Sequence, residues 1–217
     1  MTSRFVWHSY DVRSMLPAGW DQELLGIARE HATRRSLRPT SVTSREDRTD
    51  VELPVLTVGG RVLDAMCPWL ARLYETTFRD LAQPLFPEPL AVARDVRIRM
   101  NLNVQRGTEM RYECHVDSNP VEGLLYVTGH PPGGGGELVV SNREDARGVR
   151  EIDADASVVY PTSGQLVFFD ARRNPHYVRP LRREDAERVV VAMNFYTPSQ
   201  PEESRPADLN MHLFGEP

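Results

Sequence analysis

Lysine is absent: all 26 basic residues of this 217-residue chain are arginine. Schiff-base chemistry and phosphate-cradling P-loops both require a lysine, so both are excluded. Cysteine is scarce. With only Cys67 and Cys114, neither a disulfide scaffold nor a cysteine-rich zinc site can be built. A reduced, cytoplasmic protein is expected. No apolar run approaches a membrane span, and the first residues, MTSRFVWHSYDVRS, lack the apolar centre of a secretion signal. Positive charge is not in excess either. A net charge of −5 argues against nucleic acid or an anionic membrane as the main partner. What remains is 40% hydrophobic and 26% charged, the balance of a globular domain of ordinary size.

The first third reads helical. Asp21 to Arg35 carries Leu24, Leu25, Ile27 and Ala28 on one side, and Arg61 to Leu81 repeats apolar residues at helical spacing. Thr33 to Asp50 between them is polar and reads as a lid or a solvated connector. LPVLTV at 53–58 reads as a short strand or entry segment. From residue 96 the period changes to two. Eight strand-like runs follow, at 96–105, 111–117, 123–128, 137–141, 157–161, 165–170, 176–180 and 188–197, separated by Gly, Pro and Asn turns. Short strands at this density suggest a sandwich or barrel with helices over one sheet. The predicted division is a helical extension (1–95), a β core (96–198) and a tail (199–217) whose Met211–Phe214 stretch could dock. In the last run, the face carrying Arg188, Val190, Ala192, Asn194 and Tyr196 is mixed, which suits a cavity lining better than open water.

His115 and Asp117 are two apart, so an extended strand would point both to one face. About one such His-x-acid pair is expected by chance, so the pair alone carries little. A second histidine, His176, opens a later strand run. Two imidazoles and one carboxylate on a β scaffold can occupy one face of an octahedral ion and leave three positions open, the arrangement of non-haem Fe(II) oxygenases. Arg188, twelve residues on, could hold a carboxylate through two parallel hydrogen bonds, or could simply flank the strand at the surface.

The ordered set HVDSNPVEGLLYVT (115–128), GGGGELVV (133–140), GQLVFFD (164–170), HYVRP (176–180) and RVVVAMNFYTP (188–198) resembles the Fe(II)- and 2-oxoglutarate-dependent oxygenases of the prolyl-hydroxylase-like branch. The resemblance implies a double-stranded β-helix, or jelly roll, of about eight strands. It implies that His115, Asp117 and His176 hold Fe(II), that Arg188 grips the distal carboxylate of 2-oxoglutarate, and that O2 is the oxidant. Related enzymes often place a Tyr ahead of a Gly before the His-x-Asp to help bind the cosubstrate. Here that stretch is NVQRG (103–107), so Asn103 or Tyr112 is the candidate for that role. Halogenases of the group lack the carboxylate. Asp117 therefore favours hydroxylation, while desaturation and ring closure stay open.

Arg99, Asn101 and Asn103, with Arg111 and Glu113 in the parity of His115, predict a polar substrate cavity. A small substrate carrying a carboxylate or amine is expected, such as an amino acid or biosynthetic intermediate, acted on by a monomer or homodimer. Rival readings are a peptidyl or carrier-tethered substrate, a cupin-like metal enzyme without 2-oxoglutarate, and a non-enzymatic binder. Cys114 reads as core filler, His130 and His212 as solvated, and Gly133–Gly136 as a flexible turn.

Overall fold

In the computed structural model, which describes residues 7–39, 41–206 and 209, the β region forms two packed antiparallel sheets. Numbered along the chain, the strands are β1 (Trp7–Asp11), β2 (Thr33–Leu37), β3 (Leu53–Val58), β4 (Ala91–Val92), β5 (Met100–Arg106), β6 (Val121–Tyr126), β7 (Leu138–Ser141), β8 (Ala156–Val159), β9 (Gln165–Asp170), β10 (His176–Val178) and β11 (Glu187–Tyr196). The larger sheet runs β1-β9-β6-β11-β5-β3-β2, with β4 on the end of β11, and the smaller runs β10-β7-β8. The helices are α1 (Trp20–His31), α2 (Gly60–Met66), α3 (Pro68–Leu73), α4 (Arg79–Ala82), α5 (Val96–Arg99) and α6 (Gly148–Ala154). No helix among the described residues is long and apolar enough to cross a membrane.

Strand parity divides the larger sheet into two faces. Met100, Leu102 and Val104 of β5 and Val189, Val191, Met193 and Phe195 of β11 pack with Leu24, Leu63, Leu70, Tyr74 and Phe78 of the helical layer. The alternate residues face the smaller sheet. Leu124, Tyr126, Val167, Phe169, Val190 and Ala192 form a second core with Leu138, Val140, Val159 and Val178. This is the helix-covered two-sheet arrangement that the periodicity predicts, in the jelly-roll form that the resemblance implies, with a cavity between its sheets.

Several boundaries differ from the sequence expectation. The first 95 residues are not purely helical, since four strands arise there. α1 stops at His31 because Thr33–Ser36 offers no apolar residue to extend its buried stripe, and the chain pairs with β3 instead. The expected single helix over 61–81 is broken at Cys67. Pro68 has no N–H to give, and a wider π turn over Tyr74–Phe78 follows. Residues 96–99 are helical because the Asp95 carboxylate caps the Arg97 N–H at 2.9 Å.

Run 111–117 forms no regular strand because its N–H groups bond to successive neighbours. Tyr112 donates to Val178 O, His115 to His176 O, Val116 to Thr43 O and Asp117 to Ala171 O. The expected Met211–Phe214 dock lies outside the described residues.

Candidate active site

The irregular segment and β10 bring two histidines side by side, their rings tilted by 57°. His115 and His176 exchange backbone hydrogen bonds, each N–H donating to the other's carbonyl at 2.9 Å, and their rings lie 4.3 Å apart between centroids. The Nδ1 of His115 bonds Glu113 O at 2.6 Å, and the Nδ1 of His176 bonds Asn174 O at 3.0 Å. A carbonyl only accepts, so Nδ1 carries the proton in each neutral ring and Nε2 is the nitrogen left to offer a lone pair to a cation. Asp117 approaches them, with Oδ1 3.3 Å from His115 Nε2 and Oδ2 3.6 Å from His176 Nε2. One ligand atom from each of the three lies within 4.8 Å of the others. Phe169 packs edge-on against His176 with ring centroids 4.8 Å apart, fixing that imidazole's plane.

Burial and mutual charge shift the three groups in different directions. Burial, aided by His115, pulls His176 down to about 4. Burial opposes a charge on His115 as well, but the hydrogen bond and charge of Asp117 outweigh it and raise that ring to about 9. Burial works against the Asp117 carboxylate, yet the two histidines hold it below the usual range. Two nitrogens and one carboxylate oxygen, with open cavity beside them, are the donor set of a divalent transition ion with vacant positions.

The trio opens on a space of about 960 Å³, counting its mouth. Asn101, Asn103, Tyr112, Glu113 and Arg188 all line it, as the sequence predicts. Arg188 is 1% exposed, and among the described residues no carboxylate pairs with it. Its Nε and the neighbouring Tyr126 hydroxyl have no hydrogen-bond partner, and its guanidinium carbon lies 5.3 Å from the Tyr126 ring centre. Burial pulls the Arg188 pKa down. A buried cation with an orphaned donor is suited to an anionic guest.

Two candidates lie elsewhere. Arg99 sits in α5, where it pairs with Asp64 and Glu75 and stacks over Tyr74. Arg111 is bidentate to Glu46, at 2.6 and 2.9 Å. Both were assigned to the cavity by strand parity, which fails in a capped helical turn and in an irregular segment. Segment 41–46 is a strap rather than a solvated connector. Thr43 lines the cavity and Ser44 bridges to His115.

Cys114 is wholly buried among Val139, Ala146, Ile152 and Tyr177, as core filler would be. Sequence reasoning passed over Tyr126 and Glu122, although Glu122, Leu124 and Tyr126 share one parity in β6. It also passed over Arg205, which has no periodic context. Glu122 is buried, and burial, with the nearby Asp117 charge, pushes its carboxyl well above the usual range.

Residues 100–196 match the family model of the 2OG-Fe(II) oxygenase superfamily. No curated protein sequence matches the chain. Among solved structures, it is similar to the non-heme alpha ketoglutarate dependent epimerase SnoN from nogalamycin biosynthesis, with 17% identity, a TM-score of 0.62, and coverage of 99% of this chain and 87% of that one. A prolyl hydroxylase from Trichoplax adhaerens, in complex with a hypoxia inducible factor peptide, gives 15% identity, a TM-score of 0.63, and coverage of 92% and 87%. HygX from Streptomyces hygroscopicus, with nickel and 2-oxoglutarate bound, gives 13% identity, a TM-score of 0.57, and coverage of 89% and 84%. At such identities these likenesses establish a shared fold.

Proposed function

We propose that the chain, whose residues 100–196 match the family model of the 2OG-Fe(II) oxygenase superfamily, is an Fe(II)- and 2-oxoglutarate-dependent dioxygenase that hydroxylates a small polar metabolite. The observation that carries this reading is one cavity holding both an open His-Asp-His trio and a buried arginine with no acid partner among the described residues. A cupin-like metal enzyme would need the trio and would have no use for Arg188.

His115 Nε2, Asp117 and His176 Nε2 would hold the iron. Bound there, iron supplies the chemistry that couples O2 reduction and 2-oxoglutarate decarboxylation to oxidation of a substrate C–H bond. The protein's own work is positional. Glu113 O and Asn174 O lock the imidazoles in one tautomer. Arg188 offers its guanidinium, and Tyr126 its hydroxyl, to the far carboxylate of 2-oxoglutarate. Tyr112 and Asn103 line the same cavity and would complete the cosubstrate's polar surroundings. Leu124, Leu138, Val178, Val190 and Ala192 keep the reacting centre dry. Asp117 favours hydroxylation as the outcome, and the epimerase among the structural neighbours marks the alternative that product analysis must exclude.

Anaerobic addition of Fe(II) and then 2-oxoglutarate tests this reading. A weak visible charge-transfer band should need both additions. It should be lost in Asp117→Ala, and in Arg188→Ala it should demand about tenfold more 2-oxoglutarate or beyond. Iron binding without a band would favour the cupin-like enzyme, and no iron binding would favour a binder.

A further inference from the structure

The end of the cavity away from Arg188 is rich in hydrogen-bond acceptors. Glu122 of β6 is 6% exposed. Its Oε2 accepts from Asn119 Nδ2 at 2.9 Å, which uses one of the several lone pairs a carboxylate offers. Asn119 gives its amide hydrogens to Glu122 and to Val121 O, the latter at 2.8 Å, so what it presents further is its carbonyl oxygen. Asn194 stands directly opposite Glu122 in the β6–β11 ladder and donates to Ile98 O, which also turns its carbonyl to use as an acceptor. Asn101 donates to Asn103 Oδ1 at 2.7 Å and keeps its own Oδ1. All these residues line the cavity. The charged donor at this end, Arg205, reaches Ser118 Oγ at 3.2 Å, and its charge also favours the ionised form of Glu122. Between this cluster and Arg188, the same two strands present Leu124, Ala192 and Val190, an apolar floor.

We propose that Glu122, with the carbonyl oxygens of Asn119 and Asn194, binds an ammonium group, so that the substrate is a small molecule carrying a primary amine. This rests on reading the cavity as the substrate site of the oxygenase. An ammonium has three donors and no acceptor, the complement of a carboxyl flanked by amide carbonyls, where both amide hydrogens of Asn119 are already engaged. A carboxylate or phosphate would meet acceptor against acceptor. A buried carboxyl is also costly to ionise alone, and a cation in contact removes that cost. The amine end is thereby fixed at Glu122, and the adjoining carbons lie along Leu124 and Ala192.

Three matched probes test the assignment: butylammonium chloride, butanol and sodium butyrate. Each is titrated by saturation-transfer NMR into protein loaded with Zn(II) and 2-oxoglutarate, while the charge-transfer band is recorded separately with Fe(II). Butylammonium should bind in the millimolar range, ahead of butanol and butyrate. Glu122→Gln should weaken it by about tenfold or more, as expected for loss of a charge-assisted contact. Butyrate binding ahead of butylammonium would hand this end of the cavity to Arg205 and overturn the proposal. Equal binding of butanol, or no binding of butylammonium, would overturn it too. Should Glu122→Gln fail to fold, the ranking in the wild type decides alone. A missing band with amine selectivity intact would refute the oxygenase reading and leave the ammonium site standing.

Discussion

Glu46 shows how one residue far from the chemistry can govern it. Its carboxylate is 4% exposed, accepts both guanidinium nitrogens of Arg111, and accepts the Cys114 N–H at 2.6 Å. Cys114 directly precedes His115, so the segment carrying two of the trio hangs from this side chain. Glu46→Ala would leave a half-buried guanidinium and a buried N–H unmatched, a loss on the order of 3 kcal/mol. Denaturant melts would read that loss, and iron titration of the folded fraction should show weakened affinity as well. Burial alone would raise the Glu46 pKa, but the bonds from Arg111 and Cys114 outweigh it and leave it below the ordinary value. The stabilisation is therefore complete above the unfolded value of about 4.3 and lost as pH falls through the folded one. Wild type should become acid-labile in that window, and Glu46→Ala should lack this component. None of this was legible in the sequence. Glu46 lies in a polar stretch without period, and its partner Arg111 falls where parity assigned it to the cavity. Arg188 was legible, because regular β11 carries its alternation through to the cavity.

At the scale of elements, the loop from β6 to β7 does more than turn. Read as sequence, its run of four glycines at 133–136 suggests flexibility. In the structure, Gly135 and Gly136 have φ of +86° and +76° and pack tightly. A Cβ on Gly135 would lie 2.3 Å from Pro180 O, and one on Gly136 would lie 2.9 Å from Arg188 Cδ. The loop is thus moulded around the arginine that the cosubstrate would meet. Gly136→Ala should strain the backbone and displace Arg188, raising the apparent Kd for 2-oxoglutarate at least severalfold while Fe(II) affinity changes little. The charge-transfer titration separates the two. Equal losses of both would mean general loosening of the loop. Element type followed from period wherever a strand runs in continuous ladders with its neighbours, as in β5, β9 and β11. It failed where a segment changed partners every residue or two, as between Arg111 and Asp117, because such a chain carries no ladder for a period to report. β3 matches the short strand expected at 53–58, but β2 was hidden for another reason. β2 is an edge strand with charged and polar side chains, and its composition resembles that of a loop.

At the scale of the molecule, the trio sits on a seam. His176 belongs to the smaller sheet. His115 and Asp117 belong to a segment that touches that sheet through His176, the 41–46 strap through Thr43, and the turn after β9 through Ala171. A cation at this point would join parts of the chain some sixty residues apart, where the metal-free protein holds two imidazoles and a carboxylate in a low-dielectric pocket with their pKa values driven apart. Binding that involves the folded state alone stabilises it by mass action. At a free metal concentration about 100 times Kd this amounts to about 2.7 kcal/mol, or roughly 5–10 °C in Tm for a domain of this size. Thermal melts with Zn(II), reversed by chelator, should show such an increment in wild type and a much smaller one in Asp117→Ala. An equal increment in both would place the metal elsewhere on the chain. Because Arg188 lies on a different strand from all three, 2-oxoglutarate added after the metal should raise Tm further in wild type and not in Arg188→Ala. That second step separates a cation that merely clips the seam from a site assembled to hold metal and cosubstrate together.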